Sequence, residues 1–247
     1  MKGIILHIPH SSPSIPFFEG FVVGRQAINN EINILTDWFT DQLFNLPYPK
    51  IVTPFSRVFC DVERFEDDSL EVMSLKGMGM CYTHMDNGET MRDVSPYLRE
   101  RIKTEFYLPH HLALEELTTD LLQKYEQVII IDCHSFPDMP LNRDLNKELP
   151  RPDFCLGIDE LQTPKKLHAV VRNLLMSLGY KVLINNPYSG TMIPLKYYKK
   201  NKNVTGLMIE VNRKHYMTTS NNTVLKTASF EKIRKVIKIV LQVIKDY

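Results

Sequence analysis

The sequence is poor in the features that announce the commoner functional classes. It holds only four cysteines, Cys60, Cys81, Cys133 and Cys155, and no two of them form a C-x-x-C pair. That spacing excludes a zinc knuckle and argues against a disulfide framework, which leaves reduced, buried thiols. Net charge is nearly absent, because 30 basic residues offset 29 acidic ones to leave +1. Neither a nucleic-acid footprint nor an acidic interaction tail is expected. Long apolar runs are missing as well. The first one, at Gly3–Leu6, is too short for a signal-peptide core, and no later segment approaches the length of a membrane span. The expectation is a cytoplasmic protein with no membrane partner. Glycine-rich signatures are absent too: there is no G-x-x-x-x-G-K-[ST], no G-x-G-x-x-G and no G-x-S-x-G. Phosphate-loop, dinucleotide and serine-elbow chemistry therefore lack their usual sequence support.

What remains is ordinary for an enzyme. A chain of 247 residues, 43% hydrophobic and 24% charged, without repeats or low-complexity linkers, suits one large α/β domain over 1–247. Strands are expected at Gly3–Ile8, Arg57–Val62, Gln127–Asp132, Phe154–Ile158, Lys181–Asn186 and Thr205–Val211. Several are continuous apolar runs, as in strands covered on both faces. Helical spacing runs through Asn30–Leu46, Tyr97–Tyr125, Pro164–Leu178 and Phe230–Ile244. Pro109 should break or kink the second of these. Pro164 and Gly179 bracket the third in the usual order. The lysine-rich face of the fourth is the solvated side of a docked helix. Strands alternating with helices predict a three-layer α/β sandwich around a mixed, largely parallel sheet. In such sheets, ligand sites gather at the carboxyl ends of the strands.

The polar residues fall at those ends. The run IIIDCHSF passes abruptly from β-branched residues to Asp132 and His134, which share one side of an extended strand. A polar strand end meeting solvent would explain one such case. The first strand, however, leads into His7 and His10, the second into Arg57, Asp61, Glu63 and Arg64, and the last into Glu210 and Arg213. Four strand ends together point to a cleft of histidines, carboxylates and arginines. The chemistry that fits is metal-assisted hydrolysis. A catalytic zinc takes three nitrogen or oxygen ligands and leaves a place for water. His10 and His134 are the natural nitrogen ligands, a carboxylate completes the set, and a further Glu accepts a proton from the activated water. Arginine would hold a substrate carboxylate by a two-pronged hydrogen bond. Cys133 as a nucleophile paired with His134 is unfavourable, since adjacent strand residues point apart.

With these segments placed, the sequence resembles the N-formylglutamate amidohydrolase family, itself similar to the aspartoacylase and zinc-carboxypeptidase group. The resemblance runs from Ile8 to about Met217. It rests on Pro9-His10-Ser11, Thr36-Asp37-Trp38, Ser56-Arg57, Asp61-x-x-Arg64, Pro109-His110-His111, Asp132-Cys133-His134-Ser135 and Ile209-Glu210. It implies a zinc-exopeptidase-like fold and a zinc-dependent amidase that frees a small acyl group from an N-acyl amino acid, N-formylglutamate in the type case. It also implies one Zn2+ per chain, or another divalent metal, and a place in amino-acid metabolism such as histidine degradation. Carried over by position, His10 and His134 are zinc ligands and Glu210 is the general base. Aspartoacylase-like enzymes take their third ligand three residues after the first histidine. That place is Pro13 here, so Asp37 is the expected replacement. Arg57 and Arg64 are the substrate-carboxylate clamp, and Tyr188 and Thr191 belong to a loop over the pocket. Asp61 orients an arginine, and Asp132 backs a metal-bound histidine. His7 is expected to be structural, while His111 divides evenly between a structural role and a place in the site.

Three positions depart from the family pattern. The usual Asp-x-Asn-Arg reads Asp61-Val62-Glu63-Arg64, which sets a carboxylate beside the clamp and would repel an anionic substrate unless Glu63 is paired. The Tyr188-Ser189-Gly190-Thr191 loop holds one glycine where the family has two, and Ser189 replaces a frequent basic residue. These changes touch substrate recognition and leave the proposed metal set alone. Two alternatives stay open at this point. One is a carboxypeptidase- or amidase-like hydrolase of peptide or cell-wall fragments. The other is a non-catalytic binding protein for a small carboxylated metabolite, which needs neither Asp37 nor Glu210.

Overall fold

The computed structural model describes residues 2–220 and 222–247. Among them the strands are β1 (Lys2–Ile8), β2 (Lys50–Val52), β3 (Gln127–Phe136), β4 (Phe154–Gly157), β5 (Val182–Ile184), β6 (Val204–Asn212), β7 (Met217–Ser220) and β8 (Thr223–Lys226). The α-helices are α1 (Arg25–Leu35), α2 (Thr40–Leu43), α3 (Pro96–Ile102), α4 (Leu108–Lys124), α5 (Lys165–Ser177) and α6 (Phe230–Asp246). One sheet runs β2-β1-β3-β6-β4-β5, and β7 pairs with β8 in a separate hairpin. β2, β1, β3 and β6 are mutually parallel. β4 lies antiparallel on β6, and β5 runs parallel to β4. The mixed, mostly parallel sheet expected from the sequence is therefore present.

Period-two alternation divides the central strands into two faces. Ile4, Leu6 and Ile8 of β1 share one face with Ile129 and Ile131 of β3 and Leu207 and Ile209 of β6. That face is buried against Leu167 and Val171 of α5 and Ile237 and Val240 of α6. Each such side chain contributes about 1.5–3 kcal/mol when fully buried. Ile5, Val128, Ile130 and Val204 point the other way and meet Leu114 and Leu121 of α4. Both faces being covered explains the continuous apolar runs.

The α4 face changes character along the strands. Ile5 lies beside Ile130; two residues on, His7 lies beside Asp132; two further, His134 stands opposite Glu210. Parallel register thus stacks apolar rows toward the amino ends and ionisable rows toward the carboxyl ends.

Four expectations are corrected. Residues 57–62 form a turn, not a strand, with the Phe59 and Cys60 amides donating to the Ser56 carbonyl. Phe59, Cys60 and Val62 join a cluster around Phe55 and Ile102, Val58 joins another that includes Tyr82, and β2 takes the sheet position instead. The helix expected over 30–46 is broken between α1 and α2, where Phe39 adopts φ 66°. In that break the Asp37 amide donates to the His10 carbonyl at 2.9 Å. Pro109 does not break its helix, because the π-helical segment Lys103–Tyr107 joins α3 to α4. A wider turn relieves the clash a proline ring makes with the carbonyl four residues back. Finally, β3 continues to Phe136, so Asp132 and His134 lie within a strand and not at its end.

Candidate active site

Three strands, one helix break and one turn supply the site. His10 follows β1, His134 stands on β3, Glu210 on β6, and Arg213 directly follows β6. Asp37 enters from the break between α1 and α2. The 57–64 turn brings Arg57, Asp61, Glu63 and Arg64. Their side chains, except that of Asp61, line a cavity of about 280 Å3. Asp61 and Asp132 sit fully buried behind it.

His10 is held from behind. Its Nε2 donates to Asp61 Oδ1 at 2.8 Å. Asp61 Oδ2 in turn accepts from Arg57 Nη2 at 2.9 Å and the Tyr82 hydroxyl at 2.6 Å. Burial alone would raise the Asp61 carboxyl, yet Arg57, His10 and Arg64 hold it well below the usual carboxylate range. Burial and the Arg57 charge lower the His10 pKa, so the ring is neutral. With its one proton on Nε2, the ring presents a bare lone pair at Nδ1. That atom is buried without a hydrogen-bond partner. It faces two further acceptors, Glu63 Oε2 at 3.6 Å and Asp37 Oδ2 at 3.9 Å. Acceptors converging on a lone pair in a buried place are costly unless a cation lies between them.

His134 is built in the same way. Its Nδ1 lies 3.1 Å from Asp37 Oδ2, which also accepts from the Ser135 amide at 3.2 Å. Arg213 Nη2 donates to the other Asp37 oxygen at 2.8 Å. Burial would raise the Asp37 carboxyl, but His134, Arg213 and His10 keep it far below its ordinary value. His134 Nε2 stands 3.1 Å from both Glu63 Oε1 and Asp132 Oδ1. Burial opposes protonation of this ring, and Glu63, Asp132 and Asp37 outweigh it, so its pKa lies well above the ordinary value. The donor set of two imidazoles and a carboxylate is one that divalent zinc accepts.

Glu210 differs from its neighbours. Its Oε2 is buried without a partner. Burial pushes the carboxyl up to about 8, a rise that Asp37 and Glu63 reinforce and His134 and Arg213 oppose. A carboxyl whose pKa is shifted this way by burial in a cleft marks a candidate functional group.

The remaining expected residues divide. Arg57 and Arg64 both line the cavity. Arg57 is committed to Asp61, whereas Arg64 Nε is buried with no hydrogen-bond partner and lies 3.5 Å from Asp61. Tyr188 lines the cavity, but its hydroxyl donates to Asp144 and accepts from Arg151 Nη1 at 3.2 Å. Thr191 stands outside the lining residues, packed where a Gly206 side chain would go. Asp132 touches His134 as expected but is closer to His7, at 2.7 Å. His7 Nε2 then meets His110 Nε2 at 2.9 Å. Of the adjacent pair, His110 and not His111 joins this buried chain. His111 packs on the Tyr107 ring, with centroids 4.3 Å apart, and burial pulls its pKa to about 4.

Sequence reasoning missed three contributors. Glu63 was expected to repel an anionic substrate unless paired, and it faces both site histidines. Arg213 was noted at a strand end without a task. Its signal was available, because a buried Asp37 implies a cationic partner. Tyr82 sits in a loop, and nothing local in the sequence marks it.

Residues 2–217 match the N-formylglutamate amidohydrolase family. The fold is similar to the crystal structure of an N-formylglutamate amidohydrolase from Ralstonia eutropha JMP134, with a TM-score of 0.84 and 22% identity over 98% of this chain and 92% of that one. It is also similar to a gene product of Agrobacterium tumefaciens, with a TM-score of 0.67 and 14% identity over 99% of this chain and 89% of that one. No curated protein matches the sequence.

Proposed function

We propose, from the premise that this chain belongs to the N-formylglutamate amidohydrolase family, that it is a zinc-dependent hydrolase of N-acyl amino acids. On this reading it cleaves a linear amide to a carboxylate and a free amine. The carrying observation is the bare His10 Nδ1 lone pair aimed, with His134, at carboxylate oxygens in a buried place. His10, His134 and one carboxylate of the Asp37–Glu63 pair would hold the metal. A divalent cation there lowers the pKa of water and polarises the scissile carbonyl. Glu210 takes the proton from the attacking water as the C–O bond forms. It returns that proton to the amide nitrogen as the C–N bond breaks. Burial places its pKa at about 8, and a neighbouring dication pulls it back toward the neutral range.

The substrate class follows from the walls. Arg64, ion-paired to Asp61 and Glu71, lines the cavity beside Arg57 and brings positive charge to it for a substrate carboxylate. Met73, Met78, Leu141 and Leu145 give the opposite character to the rest of the wall. A cavity of about 280 Å3 has room for one acylated amino acid, and this favours N-formylglutamate-like molecules over peptide or cell-wall fragments. No helix among the described residues is long and apolar enough to cross a membrane. All four cysteines are buried and unpaired, which supports a reducing, cytoplasmic setting.

The test is metal content and hydrolysis together. Wild-type protein should carry zinc near one equivalent, His10→Ala and His134→Ala should lose it, and N-formylglutamate should be cleaved. Glu210→Gln should keep its zinc while kcat falls by about 10^2–10^4-fold. Wild-type protein that takes up no metal when zinc is supplied would sink the reading.

A further inference from the structure

We propose that Glu63, and not Asp37, is the carboxylate ligand of the metal centre, and that Asp37 is the fixed acceptor that aims His134 at it. This inference deepens the metal-hydrolase reading and rests on it.

The oxygens of Asp37 are already spent. Oδ1 accepts from Arg213, and Oδ2 accepts from the Ser135 amide and faces His134 Nδ1. Arg213 is itself anchored by donating to the Ile34 carbonyl at 2.7 Å. Ligation through Oδ2 would leave the Arg213 pair on Oδ1 in place but would displace the Ser135 amide and the His134 Nδ1 contact that Oδ2 now holds.

Glu63 is placed differently. Its ion-pair contacts are to histidines: His134 Nε2 at 3.1 Å, His10 Nδ1 at 3.6 Å and His7 Nδ1 at 3.7 Å. Its side chain is 17% exposed, so it reaches in from the solvent side of the cleft. His10, Glu63 and His134 offer ligand atoms that all lie within 4.8 Å of one another.

The assignment makes the two histidines equivalent. His10 leans on Asp61, which Arg57 clamps; His134 leans on Asp37, which Arg213 clamps. Each ring then has one nitrogen fixed by a carboxylate and one turned to Glu63, with Asp132 Oδ1 also 3.1 Å from the Glu63-facing Nε2 of His134. Histidine ligands of metals are commonly oriented in this way. The neighbouring trio of His7, Glu63 and Asp132 also converges within 4.8 Å. There, however, His7 Nδ1 and Asp132 Oδ1 are 2.7 Å apart, a hydrogen bond that leaves no room for an ion between them. The assignment also answers the conflict seen in the sequence, since a Glu63 charge balanced by a dication no longer repels an anionic substrate.

The experiment compares zinc affinity, measured by chelator competition, with the visible spectrum of the cobalt(II)-substituted protein. The proteins are wild type, Glu63→Gln and Asp37→Asn. Loss of a metal ligand alters the cobalt ligand field, whereas loss of an outer partner does not. Expected are bands altered by Glu63→Gln with affinity reduced beyond about 100-fold, and bands unmoved by Asp37→Asn with affinity reduced about 10–100-fold. Altered bands in Asp37→Asn, or unaltered bands in Glu63→Gln, would overturn the assignment. If Glu63→Gln does not fold, Glu63→Asp replaces it, with a shifted cobalt spectrum expected and an unchanged one overturning the proposal. Wild-type protein that binds neither metal ends the metal-hydrolase reading itself. Tight wild-type binding that is indifferent to Glu63 ends only this inference.

Discussion

The Asp61 carboxylate accepts from His10, Arg57, Tyr82 and the Glu63 amide at once. Asp61→Asn should therefore act on two properties together. Zinc affinity should fall about 10–100-fold as His10 loses its aim. Stability should fall by about 3–5 kcal/mol, because Arg57 is left buried without its counter-charge. Chelator competition and denaturant unfolding measure the two, and an unchanged zinc affinity would refute the orienting role. Glu210 gives a pH prediction for the zinc-free protein. Burial raises its pKa from an ordinary 4.5 to about 8 on folding. A raised folded pKa contributes stability that is complete below 4.5 and is lost as pH climbs through 8. Glu210→Gln keeps the neutral shape at every pH. In chelator the variant should melt with wild type near pH 5 and above it near pH 8.5, and parallel melting curves across that range would contradict this. His10, His134, Asp37 and Glu210 were legible in the sequence because histidines and carboxylates beside apolar runs are conspicuous. The task of Glu63 was not, because a turn at 57–64 can aim its third charged residue anywhere until the surrounding packing is known.

At the level of elements, periodicity served where the two faces of a segment differ or where both are buried. β1, β3 and β6 carry unbroken apolar runs because α4 covers one side and α5 with α6 the other. The same signal misled at 57–62, where Val58, Phe59, Cys60 and Val62 are buried in clusters beside the sheet. An apolar run states that a segment is buried and not what it is buried against. The helix break at 36–39 was also invisible, since Asp37 is pulled out of helical geometry by distant partners, the His10 carbonyl and Arg213. One glycine links an element to the pocket. A Cβ on Gly157 in β4 would collide with the Gly190 carbonyl oxygen and the Met208 side chain. The Met208 Cε can swing aside, but its Cβ in β6 and the loop that carries Tyr188 cannot yield without moving backbone. Gly157→Ala should cost about 1–3 kcal/mol and raise KM while zinc content holds. Unfolding and steady-state kinetics check this, and a raised kcat with an unchanged KM would speak against it.

Across the whole molecule, the cleft gathers Asp37, Asp61, Asp132 and Glu210 with His10 and His134 at burial of 6% exposure or less. Arg57, Arg64 and Arg213 offset part of this negative charge, and on the metal-hydrolase reading a bound dication offsets the rest, so the metal should contribute to folding as well as to chemistry. On that reading, zinc at about a thousandfold excess over its Kd should add about 4 kcal/mol of stability. Chelation should lower the melting temperature of wild type and leave that of His134→Ala in place, a comparison that scanning calorimetry makes directly. Parallel pairing of β3 between β1 and β6 has one more consequence. A slip of one residue in that register would send His134 and Asp132 into the greasy layer beneath α5 and α6, and Ile131 and Cys133 into the cleft. The pocket therefore has no existence apart from the correctly threaded sheet. It is an all-or-none reporter of nativeness, and during denaturation metal release and collapse of the central strands should arrive as a single event.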